Sequence, residues 1–339
     1  MKSSKKPVVS IVIPTLNSQR TLQFCLDSIS QQSYKGFVEI IIADGGSTDS
    51  TVKIAAKFGA KIVKNKLRTG EAGKAIGVKY AKGQILAFID SDNVLPDENW
   101  LSKMIQPFLD SDEIVATEPL YFTYRKDDHW LTRYFALLGM GDPLNLFIGN
   151  YDRYSFISDK WTELPIKFID REDYLILLLK KEFPTIGANG FLIKKKILQE
   201  YPSKDYLFDI DVLKFLAKRN EIKVAKVKVG IVHLFSGNIS TFIRKQRRRI
   251  KDYLYFYRLG ARVSQINTGK VWWGSVKFIF LTVTILPLLI QTFAGFRRKP
   301  DIALFFHPIA CWLTLTTYGW EAIRSIFNTS QYDRSGWSQ

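Results

Sequence analysis

The first hundred residues alternate two kinds of pattern. VVSIVIPTLN (8–17) is a β-branched, apolar run that ends on a proline and polar side chains. Leu22, Cys25, Leu26 and Ile29 then recur at helical spacing. EIIIADGGSTD (39–49) predicts a second strand running into a glycine-rich turn, and AKIVKN (60–65) a third. GEAGKAIGVKYAKG (70–83) predicts a helix and QILAFID (84–90) a fourth strand. Apolar strands alternating with helices predict an α/β domain: a Rossmann-like, mostly parallel sheet with helices on both faces. Ligands of such sheets bind beyond the carboxyl ends of the strands. Three strands end on Asn17, Asp44 and Asp90, so their polar ends converge on one edge.

Periodicity weakens over 120–180, where aromatic and charged side chains mix. A helix is expected near 128–139, inside what reads as a long insertion. IGANGFLIKKKIL (186–198) reads as turn, strand and helix start. YLFDIDVLKFLAKRN (206–220) sets two aspartates at the start of a helix, and KVAKVKVGIVHLF (223–235) is a late strand. Together these predict a first domain over 1–240.

Beyond residue 240 the composition shifts. IRKQRRRIKDYLYFYRLGAR (243–262) is dense in Arg and aromatic residues. Ile243, Ile250, Leu254 and Tyr257 fall near one helical face, which describes a basic amphipathic helix over 241–270 lying in a membrane interface. KFIFLTVTILPLLIQTFAGF (277–296) and IALFFHPIACWLTLTTYGW (302–320) are almost uncharged. Each spans about 19 residues, or roughly 28 Å as a helix, enough to cross a hydrocarbon core. Over 276–320 they predict two membrane helices or a re-entrant hairpin, against the plainer reading as buried core helices. Trp272, Trp273, Trp312, Tyr318 and Trp320 fit interfacial aromatics. A straight hairpin would leave Arg297, Arg298 and Lys299 on the outer side, against the positive-inside tendency; a bend around Pro287 and Pro308 removes that conflict. Residues 321–339 read as a short tail.

Composition adds a partner class. The chain has 339 residues, 46% of them hydrophobic, so a large core is available, and its net charge of +17 calls for an anionic partner. The basic residues cluster beside the apolar spans and no nucleic-acid motif is present, so anionic lipid and a phosphorylated ligand fit better than nucleic acid. Cys25 and Cys311 lie far apart and suggest no disulfide framework. The basic N-terminus leads into a short apolar run that stops at Pro14, which reads as a tail and first strand, not a signal peptide.

The chemistry concentrates in two motifs. In AFIDSDN (87–93) two carboxylates follow a buried strand, and alternate residues of an extended chain share a side. Asp90 and Asp92 then repel each other and need a cation. Mg²⁺ or Mn²⁺, hard ions that take one or two carboxylates plus substrate phosphates, match that need. A solvated turn is the plainer alternative. In DGGSTDST (44–51), Asp44 ends a strand, Gly45 and Gly46 allow a tight turn, and Ser47, Thr48 and Asp49 are able to cap a helix. Such an acid accepts hydrogen bonds from a nucleotide's base or ribose, or simply orders the turn.

VSIVIPTLN, DGGSTDST, GKAIGVKYAKGQILAFIDSDN and GANGFLIKKKIL, in this order, resemble the family 2 glycosyltransferases with the GT-A fold, over roughly residues 8–240. The resemblance implies a nucleotide-diphosphate sugar donor, a divalent metal at the D-x-D and inversion at the anomeric carbon. It implies a donor site of Pro14, Thr15, Asn17, Asp44, Gly45, Lys74, Asp90, Ser91 and Asp92. Asn189 and Gly190 match the acceptor-side loop. Phe208-Asp209-Ile210-Asp211 matches the general-base motif with Phe208 in place of Glu, so Asp209, or next Asp211, takes the acceptor's proton; helix capping is the plainer role for either. His233, a residue type more often structural when alone, completes the metal or diphosphate site. Gln246 and Arg249 match a Q-x-x-R-W signature on the acceptor or diphosphate side, with Ile250 replacing the Trp.

These expectations combine into a membrane-attached enzyme with its catalytic domain in the cytoplasm. It takes a lipid or lipid-linked acceptor hydroxyl. Two alternatives stand beside it: a polyprenyl-phosphate sugar synthase, in which an anionic phosphate attacks and needs no base, and a non-catalytic membrane scaffold.

Overall fold

The computed structural model describes residues 6–180, 183–202, 205–235, 237–260, 268–327 and 332–333. Most of the expected tail and residues 261–267 of the expected interfacial segment lie outside the described residues. The chain forms two compact units: one takes residues 6–120 and 166–234, the other 121–165 and 235–333.

The first unit is built on a ten-stranded sheet. Its strands are β1 (Val9–Thr15), β2 (Val38–Asp44), β3 (Lys61–Lys64), β4 (Ile85–Phe88), β5 (Asn93–Val94), β6 (Ile114–Phe122), β7 (Lys167–Asp170), β8 (Tyr174–Leu179), β9 (Phe191–Lys194) and β10 (Ile222–His233). The order is β3-β2-β1-β4-β9-β6-β10-β8-β7, with β5 paired to β10. Strands β3-β2-β1-β4 run parallel. The β9 pairings with β4 and β6, and those of β10 with β8 and β7 with β8, are antiparallel, so the sheet is mixed and not mostly parallel. The first hundred residues carry the regular strand–helix alternation that parallel crossovers need; beyond them β7, β8 and β9 follow one another with no helix between them.

Helices α1 (Gln19–Ser30), α2 (Thr51–Lys57), α3 (Gly70–Tyr80) and α4 (Trp100–Asp110) follow β1 to β5. Helix α3 carries glycines toward β1. A Cβ at Gly73 would lie 2.7 Å from the Pro14 Cβ, and one at Gly77 2.3 Å from a Val12 methyl. This four-residue spacing puts both on one helix face and lets α3 lie close on β1, with Lys74 beside the contact.

The second unit is helical. It contains α5 (Trp130–Leu138) and α6 (Leu144–Ile148), and, after α7 (Lys195–Gln199) and α8 (Asp209–Ala217) of the first unit, α9 (Ile239–Arg258), α10 (Thr268–Thr284), α11 (Leu286–Arg298), a 3-10 turn (Ile302–Phe306) and α12 (His307–Phe327). Its core joins the 121–165 segment to the C-terminal helices: Tyr134, Phe135, Phe147, Phe242, Phe278 and Leu304 pack in one cluster. Helices α10 and α11 meet at 93°. The bend falls at Ile285, whose φ of 59° breaks the helix just before Pro287; Pro308 lies inside the first turn of α12 and makes no bend. The segment Ile302–Ile326 is long and apolar enough to cross a membrane, and the bent α10–α11 pair passes the same test only when taken together.

The 297–301 link is tied into this unit. Arg298 Nη1 donates to the Phe156 and Ile157 carbonyls, both at 2.9 Å. The Lys299 ammonium lies 4.9 Å from the Tyr124 ring centre, and Asp301 accepts from the Tyr124 hydroxyl at 2.6 Å. Tyr318 also departs from the interfacial expectation: its hydroxyl turns inward to Asp142 at 2.6 Å. On α9 the buried side chains are Phe242, Lys245, Gln246 and Phe256, whereas Tyr257, expected on the apolar face, is exposed.

Candidate active site

The parallel strand ends of the first unit gather the expected donor residues. Thr15 and Asp44 are register partners, and Thr15 Oγ1 donates to Asp44 Oδ1 at 3.0 Å. Asp44 Oδ2 accepts from the Gly46 and Ser47 amides, both at 2.9 Å, and Oδ1 also accepts from Ser47 Oγ at 2.5 Å. These four bonds fill the usual capacity of a carboxylate. Asp44 therefore folds its own turn first, and a nucleotide group reaching it must take the place of a rotatable hydroxyl. Gly45 donates its amide to the Thr15 carbonyl at 2.8 Å. Asn17, with a φ of 50°, accepts from the Thr48 amide at 2.8 Å, which braces the two loops together.

The D-x-D sits beyond β4. The Asp90 amide donates to Asn93 Oδ1 at 3.0 Å, closing the turn. Ser91, within that turn, donates to Ser18 Oγ at 3.1 Å. His233 pairs in register with Asn93, which brings its Nε2 to 3.4 Å from Asp92 Oδ2. Burial holds the Asp90 carboxyl above the ordinary carboxylate range; Asp92 and Asp209 push it up further, and Lys74 and His233 oppose them. Asp90, Asp92 and His233 do not close a cage: among the described residues, no three His, Cys, Asp or Glu side chains are grouped to hold a metal. Hard oxygens that leave most positions open suit Mg²⁺ or Mn²⁺, which keep water and substrate phosphate as ligands.

Asp209 enters the same neighbourhood from the first turn of α8, where a helix N-terminus favours a carboxylate. Its Oδ2 takes an ion pair from Lys74 Nζ and a 2.8 Å hydrogen bond from the Ala188 amide. Its Oδ1 is buried with no hydrogen-bond partner. Burial alone would lower the Lys74 ammonium, but Asp209 and Asp90 outweigh it and hold it above the ordinary lysine value. Asp211 is fully buried. At about 100° per residue it points roughly 200° away from Asp209, so one site does not receive both.

A four-residue loop connects these groups. Gly187, Ala188, Asn189 and Gly190 have φ values of 122°, 54°, 43° and 89°. Asn189 Oδ1 accepts from Asn93 Nδ2 at 2.9 Å, and the Gly190 amide donates to the Phe88 carbonyl at 3.0 Å. Sequence patterns pointed to Asn189 and Gly190 but not to the run of left-handed residues, nor to the Lys74–Asp209 pair. The two glycines in GANG were the available signal.

Gln246 and Arg249 are grouped in the second unit. Gln246 is fully buried; its Nε2 donates to the Gly141 carbonyl at 3.2 Å, and its Oε1 accepts from Arg249 at 2.8 Å and from Tyr318 at 3.1 Å. Arg249 also donates to Gly141 at 2.7 Å.

Comparison with known proteins agrees with this arrangement. The model of glycosyl transferase family 2 matches residues 10–201. The chain is 31% identical over 184 residues to the Escherichia coli protein WfaP, a UDP-Glc:alpha-D-GlcNAc-diphosphoundecaprenol beta-1,3-glucosyltransferase, covering 50% of this chain and 69% of that one. It is 28% identical over 145 residues to the glycosyltransferase AglE of Haloferax volcanii, over 41% of this chain and 47% of AglE, so it spans about half of that relative. The mannosyltransferase PcManGT of Pyrobaculum calidifontis, solved with GDP-Man and Mn²⁺, has a TM-score of 0.54 at 12% identity, over 94% of this chain and 88% of that one, a likeness of fold. The motif order, the strand-end site and a family match over more than half the chain lead to one conclusion: this chain belongs to glycosyl transferase family 2 and is a glycosyltransferase.

Proposed function

We propose that the protein transfers a sugar from a nucleoside-diphosphate sugar to a hydroxyl of a lipid-linked acceptor, with inversion and with Asp209 as general base. The observation that carries this reading is the state of Asp209. One carboxylate oxygen is fixed by Lys74 and the Ala188 amide; the other is buried and has no hydrogen-bond partner. A base needs that combination, since proton transfer requires an oriented oxygen within hydrogen-bond reach of the acceptor. The acceptor oxygen attacks the anomeric carbon, its proton passes to Asp209 Oδ1, and the bond from that carbon to the β-phosphate oxygen breaks as the nucleoside diphosphate leaves. Asp90 and Asp92, with His233 beside them, would hold Mg²⁺ or Mn²⁺, and that ion supplies positive charge to the departing diphosphate. PcManGT, with GDP-Man and Mn²⁺, and WfaP, with its UDP-Glc donor and diphosphoundecaprenol-linked acceptor, support the donor class, the metal and the acceptor class.

The second unit supports a membrane location. Phe280, Phe293, Trp312, Trp273 and Ile326 present apolar surface, and the α10–α11 bend with the anchored Arg298 fits a re-entrant element better than a straight hairpin. The reading is therefore an integral or monotopic enzyme of the cell membrane. Its catalytic unit faces the cytoplasm, and α9 lies against anionic lipid.

Incubation of the purified protein with membrane lipids, a divalent metal and labelled nucleotide sugars tests this reading. A new glycosylated lipid seen by mass analysis, lost on chelation, is the expected result. Undiminished transfer in metal-free buffer overturns the metal assignment, and transfer only to water-soluble acceptors overturns the acceptor class.

A further inference from the structure

We infer that Glu118 and Lys226 are positioning residues for the candidate base, acting through the 187–190 loop; this rests on the reading of Asp209 proposed above. Glu118 lies on β6 and Lys226 on the neighbouring β10. Their side chains are fully buried, with Nζ 2.5 Å from Oε1. The other glutamate oxygen, Oε2, accepts from the Gly187 amide at 3.4 Å. Gly187 opens the run of four residues with positive φ, two of which are not glycine. Such backbone is costly and persists only where its surroundings over-determine it. Here there are four restraints: Glu118 on Gly187, Asp209 on Ala188, Asn93 on Asn189 and the Phe88 carbonyl on Gly190. Asp209 and Gly187 are also in direct steric contact, since a Cβ at Gly187 would stand 2.4 Å from the Asp209 Cβ.

A buried ion pair adds little stability over well-packed apolar residues of similar volume. What an apolar pair does not provide is an acceptor aimed at the first amide of the loop. Lys226 neutralises and orients the carboxylate; the carboxylate holds Gly187; and the next amide, Ala188, fixes Asp209 Oδ2. Without that acceptor the loop has one end loose, and the proton-accepting oxygen of Asp209 loses its register with the strand end that carries Asp90.

Two charge-free double variants separate this role from bulk packing. Glu118→Met/Lys226→Met removes the acceptor; Glu118→Gln/Lys226→Met keeps a carbonyl oxygen for Gly187. The first is expected to lower kcat about tenfold or more with donor KM within about twofold, because small misplacements of a reacting group are costly in rate. It should also speed amide hydrogen exchange over 183–191. The second should restore both toward the parent protein. Undiminished kcat with parent-like exchange in the Met/Met variant overturns the inference, as does equal loss in both variants. Asp209→Asn run alongside keeps the two readings apart. If it transfers sugar at the parent rate, the base assignment fails, and the hold of Glu118 on the loop is then judged by hydrogen exchange alone.

Discussion

Lys74 and Asp209 are 135 residues apart in sequence and form an ion pair in which both side chains are almost fully buried. The pair joins helix α3, packed on the first parallel strand, to helix α8, which follows the 187–190 loop in the chain. The Lys74 ammonium also opposes the burial of the D-x-D carboxylate Asp90 and pulls it toward its charged form.

Removing one partner of this pair should cost more than removing both. Lys74→Met leaves a buried carboxylate unpaired, an expected loss of about 3–5 kcal/mol in unfolding free energy, whereas Lys74→Met/Asp209→Leu should recover much of it. Chemical denaturation of the two variants and the parent reads this difference. Neither variant should transfer sugar, so stability and activity part company in the double variant.

Asp209→Asn keeps shape and removes proton-accepting ability. For a hydroxyl acceptor the expected drop in kcat is about 10² to 10⁴-fold. Donor KM should hardly move. A variant that keeps most of its activity points to an anionic phosphate acceptor, as in a polyprenyl-phosphate sugar synthase.

Asp90 gives a pH signature. Its carboxyl is held above the ordinary value, chiefly by burial and by Asp92. The fold therefore favours the protonated form: the stability tied to it is present at acid pH and lost as pH rises through the raised value. Asp90→Asn should thus raise the unfolding temperature of the metal-free protein at neutral pH while abolishing transfer. The gain should vanish below pH of about 4, where the parent carboxyl is protonated in both states. Thermal unfolding scans across pH check it.

Gly187 tolerates no side chain. Its φ is 122°, and an added Cβ would meet the Asp209 Cβ at 2.4 Å. Gly187→Ala should lose about 1–3 kcal/mol in stability through the strained backbone. It should lose activity by a larger factor than that, because the displaced neighbour is the candidate base. Gly59→Ala, at a positive φ with open space around it, is the control that should leave activity unchanged.

Membrane attachment through apolar insertion should resist salt. Phe280→Ser, Phe293→Ser and Trp312→Ser together remove large exposed apolar groups from α10, α11 and α12. The parent should float with anionic vesicles at both low and high ionic strength, since screening weakens only the electrostatic share. The triple variant should float at low salt and be released at high salt. Release of the parent by salt alone would assign attachment to the basic helix instead.

The sequence alone determined the strand–helix alternation through residue 90, the edge where Asn17, Asp44 and Asp90 meet, and the carboxylate motifs, because alternation and helical spacing are local properties of the chain. It marked Asp209 ahead of Asp211, and the apolar C-terminal runs by their length. It did not contain the antiparallel half of the sheet, since a short strand such as β9 pairs with β4, far back along the chain. Nor did it contain the bend at Ile285, which a proline two residues on only hinted at. Tertiary structure alone decided that Lys74 pairs with the candidate base and that Glu118 and Lys226 stand behind the loop. Each depends on desolvated groups from distant segments meeting at hydrogen-bond distance. Burial turns such a meeting into an obligation to pair, and no local pattern encodes which partner is found.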